Sequence, residues 1–487
     1  MRKFLWLTVA SLIAASCNDS SGPKGPAAGA AVRLIGGFGV SDTITARPTT
    51  ALIVEVHDST GAIAPQGTVV RFTGVPGAKG VPEMLVEGLS STVFAPFASG
   101  GTDAAGRAGV LVQFGTVAGP ARIAISVPTL GVQDTARYTV QPGNISRILL
   151  APADTAVYVG RTFTMRGGVV DRFDNVRTDP VTYTASAPGV SVTGAGVVTA
   201  SAIGRYRVTG KAGNLSGSSD ISAVPQGTLT AVYNGPSGLR IIAVGLDGSG
   251  FRDLTGVSDG GIGPKPRWIP GTNTIIYSHY DGTYQVLRTV DQDGKVATLF
   301  PDRPATMTHQ AEPSPSASAP VLYFSAYDTR CGPDFYCLHR SGMDGANPEL
   351  LGTFIAPLQV SWRPSASPDG SKVAFVNAGP IIRVFDYATK TVSAWSVPGQ
   401  YPSWSPDGSR IAYITQFGGP LRVINADGTN ARVIGSTTRL YGEGPITWTA
   451  DSKWLLARYD RWELIEVETG NTLPLPFTSA YSNGSLK

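Results

Sequence analysis

The run Pro402-Ser403-Trp404-Ser405-Pro406-Asp407-Gly408-Ser409-Arg410-Ile411-Ala412-Tyr413 decides the fold, because the chain writes it more than once. It aligns with Pro364-Ser365-Ala366-Ser367-Pro368-Asp369-Gly370-Ser371-Lys372-Val373-Ala374-Phe375. Looser copies are Pro266-Arg267-Trp268 with Ile275-Ile276-Tyr277, Pro313-Ser314 with Val321-Leu322-Tyr323-Phe324, and Ile446-Thr447-Trp448-Thr449-Ala450-Asp451-Ser452 with Leu455-Leu456. Taking 269, 315, 367, 405 and 449 as equivalent positions gives spacings of 46, 52, 38 and 44. A second marker keeps step with the first. Asp247-Gly248, Asp293-Gly294, Asp344-Gly345 and Asp427-Gly428, with Thr469-Gly470 as a variant, each separate two apolar runs. Asp-Gly suits a tight hairpin because glycine tolerates positive φ. Two markers in register at about 40–50 residues predict four-stranded propeller blades.

Five complete units are visible, and the longer gap between Asp344 and Asp427 holds one that turns near Ala388-Thr389-Lys390. A partial unit from Leu229-Thr230-Ala231-Val232-Tyr233 to Asp253-Leu254 lacks its leading strand. The tail Ala480-Tyr481-Ser482-Asn483-Gly484-Ser485 is expected to supply it by pairing beside residues 229–233, closing six blades. The Pro-x-Trp-Ser-Pro-Asp-Gly motif resembles the blades of TolB-like, WD40-like propellers across about 226–487. The likeness is close in the fourth and fifth units and loose in the second and third.

Composition agrees with an all-β chain. Charged residues make up 15% of 487, against roughly 25% in an average globular protein. With 59 Gly and 36 Pro the chain is rich in turns, and 42% hydrophobic residues can fill cores. Long charged helices, coiled coils and collagen are excluded. A net charge of +4, with no Lys/Arg cluster, gives no electrostatic basis for nucleic-acid binding.

The start of the chain reads as an address. Arg2 and Lys3 precede an apolar run from Phe4 to Ala15, too short to span a bilayer but suited to a secretory signal over 1–16. Its end, Leu12-Ile13-Ala14-Ala15-Ser16-Cys17, resembles the lipobox of bacterial lipoproteins, although Ala14 stands where that family prefers Leu. The resemblance implies cleavage before Cys17 and a lipid anchor on it. With Asn18, not Asp, in second place, it implies an outer-membrane lipoprotein facing the periplasm or the cell surface. Residues 17–30 read as a Ser/Gly/Pro/Ala tether.

Two sandwiches are expected between tether and propeller. Over 31–142, alternating runs such as Leu52-Ile53-Val54-Glu55-Val56 and Val110-Leu111-Val112-Gln113-Phe114 are punctuated by Gly and Asp turns. Thr102-Asp103-Ala104-Ala105-Gly106-Arg107-Ala108 resembles the bacterial immunoglobulin-like modules of intimin and invasin stalks. Over 143–225, Gly196-Val197-Val198-Thr199-Ala200 and Gly204-Arg205-Tyr206-Arg207-Val208 resemble the second class of bacterial immunoglobulin-like domain (BIG2). The expected fold is therefore all-β, two immunoglobulin-like β-sandwiches followed by a six-bladed β-propeller.

Motifs with chemistry are few. Cys331 and Cys337, with five residues between them, are expected to form a disulfide across a hairpin loop in an oxidising compartment. A metal site is the rival, for which His339 is the lone neighbouring ligand. Gly256-Val257-Ser258-Asp259-Gly260 fits a nucleophile elbow in letters only, because a Gly/Pro connector follows where a helix is required. Asp291-Gln292-Asp293-Gly294 lacks the later oxygen ligands of a calcium loop and reads as a hairpin turn. The histidines at 57, 279, 309 and 339 show no metal-ligand spacing, so neither a metal nor a cofactor is expected. Trp268, Trp404 and Trp448 share one repeat position, interrupted by Ser314 and Ala366, and are expected to pack blade against blade. Connectors expected at the propeller mouth bring His309, Glu312, Gln400, Tyr401 and Glu443, with Arg363 at a matching strand start. Of these His309, Glu312, Arg363, Tyr401 and Glu443 are the candidate binding residues.

The expected function is non-catalytic binding of an envelope protein or glycan by a propeller held on a sandwich stalk. The alternatives are a glycan lyase or hydrolase using the propeller mouth, and an adhesin-like spacer. TolB's role with partners in envelope maintenance is analogy alone.

Overall fold

The computed structural model describes residues 29–487 apart from 78–79, 258–262, 264, 333–335, 353–361, 378, 416–418, 436–445, 459–460 and 478–480. Chain contacts divide it into two units. One comprises 1–149, 168–181 and 211–216; the other comprises 150–167, 182–210 and 217–487. The stretch expected to form the second sandwich, 143–225, therefore contributes to both.

The first unit is built on period-two burial. Arg107–Phe114 alternates buried and partly exposed residues along its length, as one face of a sandwich requires. One sheet runs Ala31–Gly36, Leu52–His57, Arg107–Phe114, Met84–Gly88; the other runs Ser41–Thr43, Val132–Gln141, Gly119–Val127, Val69–Gly74, Phe97–Gly101. Between them lie Leu52, Val54, Phe72, Val110, Phe114, Ile123 and Ile125, all essentially inaccessible. The same unit includes a hairpin whose turn is organised by the buried Asp171. Its carboxylate accepts from Gly143 N (2.8 Å), Phe173 N (2.8 Å) and Asn175 N (3.1 Å).

The second unit opens with two small sheets. One holds Thr155–Tyr158, parallel to Leu215–Val224; the other pairs Thr162–Thr164 and Val190–Val192 with Val197–Ala200. Val157, Met165, Val190, Val198, Val208 and Ile221 form their core.

Six four-stranded antiparallel sheets follow. Blade 2 is Arg267–Trp268, Ile275–Tyr280, Gln285–Val290, Val296–Thr298; blade 3 is Met307–Pro315, Val321–Asp328, Tyr336–Gly342, Glu349–Leu350. Blade 4 is Trp362–Ala366, Lys372–Asn377, Ile381–Asp386, Thr391–Val392, with Val397–Pro398 also pairing to the third strand. Blade 5 is Gln400–Trp404, Arg410–Ile414, Leu421–Asn425, Arg432–Val433; blade 6 is Thr447–Trp448, Trp454–Arg458, Trp462–Glu466, Thr472–Pro474. Blade 1 takes Thr228–Gly235, Gly238–Gly245 and Arg252–Gly256 from its own stretch, and its first strand is the tail, Tyr481–Leu486. Leu229 pairs with Leu486, Thr230 with Ser485 and Tyr233 with Tyr481. Each first strand packs against the next around the ring, and the tail sits between Thr447–Trp448 and Arg267–Trp268. The ring is closed, which removes the free sheet edges that template aggregation.

The repeated motif has a physical job at each end of these strands. At the turn, Ser405 Oγ donates to Asp407 (2.6 Å) and accepts from Arg410 N (2.9 Å), while Gly408 takes φ 73°. Ser367, Asp369, Gly370 and Lys372 repeat this, as do Thr449, Asp451, Ser452 and Trp454, with Ser452 held at φ 56° in the glycine position. In the strand, a hydroxyl accepts a backbone N–H from the next blade. Ser485 accepts from Trp268 N, Ser314 from Ala366 N, Ser365 from Trp404 N, and Thr447 from Leu486 N, at 2.8–3.5 Å. In the Asp-Gly hairpins only the glycine has positive φ (84° at Gly248, 89° at Gly428), so they are type I turns with a glycine bulge, not mirror-image two-residue turns.

Register corrects one sequence equivalence. Ser314 pairs with Tyr323 as Ser403 pairs with Ala412, so Pro315, not Ser314, stands in the tryptophan position of blade 3. A relative slip of one residue is invisible where the motif has lost its Trp.

Candidate functional site at the propeller mouth

Each of blades 2 to 5 places a residue followed by proline in or just before its first strand: Lys265-Pro266, Glu312-Pro313, Arg363-Pro364 and Tyr401-Pro402. All four leading residues have positive φ, at 39°, 53°, 54° and 52°. That region is rare for side chains other than Gly. In three of the blades the pairing shows why they adopt it. Gln400 pairs with Ile414 and Ser403 with Ala412, so the inner strand has one more residue than its neighbour. Trp362 to Ser365 and Ala311 to Ser314 repeat the irregularity. Such a bulge re-aims a side chain, here toward the channel. Blade 3 carries a second bulge between Thr308 and Ala311, and this one holds His309 at φ 46°.

Glu312 is the hub. Lys265 Nζ binds its Oε1, Arg363 N donates to its Oε2, and its own N donates to Ser278 Oγ at 3.3 Å. One carboxylate thus ties blades 2, 3 and 4. Burial alone would raise its pKa, but the Lys265 charge and hydrogen bond, with those of Arg363, hold it below the ordinary glutamate value. The Arg363 guanidinium donates to Gln400 Oε1 and lies 3.9 Å from the centre of the Tyr401 ring and 5.2 Å from that of Trp362. Arg267 faces the same space, and burial pushes its guanidinium down to about 10 against the pull of Glu312. Lys265, Arg267, Glu312, Arg363 and Tyr401, with Pro313, Pro364 and Pro402, line a small cavity of about 20 Å³, enough to admit a water-sized group.

Of the expected residues, Glu312, Arg363 and Tyr401 come together here. His309 does not join them. Its own bulge turns it into an aromatic series: its ring lies 5.4 Å from Tyr284 and 4.9 Å from Tyr327, and Tyr327 lies 4.2 Å from Tyr336. Burial lowers the His309 pKa, so the ring is neutral at pH 7, and Nδ1 lies 3.4 Å from Gln285 N as acceptor. Glu443 and Cys17 lie outside the described residues, as does most of Gly256–Gly260. Sequence reading passed over Lys265, Arg267 and Trp362 as mouth residues and did not keep Gln400 as a binding candidate. The available signal was the residue-before-proline position shared by Lys265 with the three that were named.

Cys331 and Cys337 are joined as a disulfide, with Cα atoms 6.6 Å apart, between the second and third strands of blade 3. Beside them Asp328, with a fully buried side chain, accepts from Arg330 and from His339 Nε2 at 3.1 Å. Burial would raise the Asp328 carboxyl, but those hydrogen bonds hold it far below the usual range. His339 is thereby a buried structural residue, and among the described residues no group of three potential metal ligands converges. Asp291 accepts from Asp293 N and Lys295 N, as a turn residue does. Trp268 Nε1 donates to Thr228 O (3.0 Å) and Trp448 Nε1 to Ser403 O (2.9 Å), each across a blade boundary. Trp404 instead bonds its own turn at Gly408 O.

A wider groove of about 660 Å³ opens between blades 4 and 5 at the turn end of the strands, beside Trp395. Its carboxylates are engaged by their own turns: Asp369 with Ser371, Asp407 with Ser409, Asp427 with Thr429. Among the described residues no helix is long and apolar enough to cross a membrane.

No protein-family model and no curated protein matches the chain. Solved structures are similar at low identity. TolB from Acinetobacter baumannii has a TM-score of 0.44 and 13% identity, over 72% of this chain and 90% of that one. A putative TolB from Agrobacterium tumefaciens has 0.37 and 13%, over 52% and 89%. An oligogalacturonate lyase in complex with manganese has 0.37 and 13%, over 68% and 85%. At these values the likeness assigns no function, and the propeller rests on the strand pairing above.

Proposed function

We propose that this chain is a lipid-anchored protein of the bacterial cell envelope that binds an envelope protein or glycan, without catalysis, at the mouth of its propeller. The anchor is Cys17 and the sandwich modules hold the propeller out from the membrane. One observation carries the non-catalytic reading. Glu312, the acid among the described residues lining the channel, is ionised and engaged at both oxygens, by Lys265 and by Arg363 N. A carboxylate held in that way is a counter-ion; a general acid or base needs a carboxyl poised near the working pH. Beside it, Trp362 is 38% exposed next to the stacked Arg363 and Tyr401, an amphipathic surface of the kind that anchors interfaces.

The full chain, purified from a Gram-negative host, tests this on envelope proteins and arrayed glycans. Retention is expected to fall at least fivefold in Trp362→Ala, and equal retention would remove the mouth as the binding face. Turnover of an arrayed glycan that disappears in Glu312→Gln would replace the reading with an enzyme. In the same host, fatty-acid labelling is expected on the parent and lost in Cys17→Ser; labelling that persists in the variant would reject the anchor.

A further inference from the structure

The charges of the channel are not all accounted for by one another. Lys265 and Glu312 form a pair, with side chains 14% and 9% exposed. Arg363 is held by Gln400 and by the Tyr401 ring. Arg267 differs from both. Its hydrogen bond is Nη1 to the carbonyl of Pro266, its own neighbour, at 3.2 Å, and among the described residues no carboxylate lies within ion-pair distance of it. Glu312, the described acid whose charge reaches it, has each oxygen already taken. A guanidinium carries five N–H donors in a planar fork. Arg267 is half-buried, and a guanidinium drawn part-way out of water gains from a counter-charge. The space it faces is lined by three prolines, which have no N–H, and by Lys265, Glu312, Arg363 and Tyr401, and it has room for a water-sized group.

We propose that the propeller channel is an anion site, in which the Arg267 fork receives the tip of a single carboxylate entering from the mouth. The cavity is small, and a carboxylate oxygen, more basic than a sulfonate oxygen, is the stronger acceptor for a guanidinium. The carboxylate comes free in solution or on a ligand, as an acidic side chain or a sugar acid. Only the latter sources rest on the binding function proposed above; the site itself does not.

The channel can be followed without a partner. Seven of the eight tryptophans lie in residues 268–462 and the eighth is Trp6, so in the mature chain tryptophan fluorescence reports the propeller alone. The full mature chain is melted in sodium acetate and in sodium methanesulfonate at equal ionic strength. Acetate is expected to raise the midpoint saturably, by about 2 °C or more, and methanesulfonate to leave it unchanged. Arg267→Gln is expected to melt higher than the parent in methanesulfonate, because a half-buried cation with no ion pair among the described residues is gone, and to lose the acetate response. Should Arg267→Gln show no cooperative transition, Arg267→Lys decides: a response weakened severalfold supports the site, and an unaltered one overturns it. Equal effects of the two salts on the parent, or an acetate response that survives in Arg267→Gln, also overturn it. Acetyl-Gly-Glu-Gly-amide and glucuronate run alongside distinguish the sources. A saturable shift with one of them names an acidic side chain or a sugar acid, and a shift with acetate alone names a free carboxylate. Failure here leaves the Trp362 retention test standing.

Discussion

Blades 3 and 5 share one plan and differ in how far they depart from it. Blade 5 keeps the Ser-Pro-Asp-Gly turn, a five-residue first strand and one bulge, and Ser405 and Asp407 are spent on its own turn. Blade 3 has lost the motif. Its first strand runs nine residues with two bulges, presenting His309 and Glu312. The turn after its second strand is tied to its third strand by Cys331 and Cys337, beside the buried Asp328 and His339. The departures mark where buried charge has been placed, and buried charge needs added support.

The largest expected effect tests what both blades require, a closed ring. Deleting residues 478–487 removes the first strand of blade 1 and uncovers Trp462, whose Nε1 donates to Tyr481 O. The tryptophan-monitored midpoint is expected to fall by roughly 10 °C or more, with light scattering from the opened edge. A truncated chain that melts like the parent would disprove closure by the tail.

Next come the polar groups that distinguish the blades. Asp328→Ala in blade 3 strands His339 and is expected to cost roughly 3 kcal/mol. Ser405→Ala in blade 5 orphans one backbone N–H and is expected to cost about 1–2 kcal/mol. Urea unfolding of the two variants ranks them, and a reversed order would undo the contrast drawn above.

The acid limb of stability sharpens the role of Glu312. Its folded pKa lies below the ordinary value, so the stability it contributes is present above the unfolded pKa, about 4.3, and is lost as pH falls through the folded one. The parent is therefore expected to lose stability below about pH 5 more steeply than Glu312→Gln, their curves converging toward acid pH. Parallel curves would show that the carboxylate is not held as described.

The smallest effect on stability is expected at Trp362. Its truncation to Ala should change unfolding free energy by no more than about 0.5 kcal/mol, as at other exposed positions, which makes it a clean probe of ligand retention.

Much of the fold was legible because its causes are local. Glycine and Asp at turns, Ser at the strand start and alternating apolar residues act within a few positions of one another, so two independent markers sufficed to count blades. The tail could be assigned to blade 1 because the first unit visibly lacked a strand. Glu312, Arg363 and Tyr401 were recognisable as mouth residues from their place in the repeat, but their arrangement was not. Whether Lys265 or Arg267 neutralises Glu312 depends on distances across blades some fifty residues apart, and no spacing rule encodes those. The separation of His309 from Glu312 depends on a second bulge with no signature in the letters. Repeat, turn chemistry and strand count were settled by the chain itself, through short-range sterics and hydrogen bonding. Which charges share the channel, and which of them pair with one another, was settled only when the ring closed and brought the first strands of six blades together.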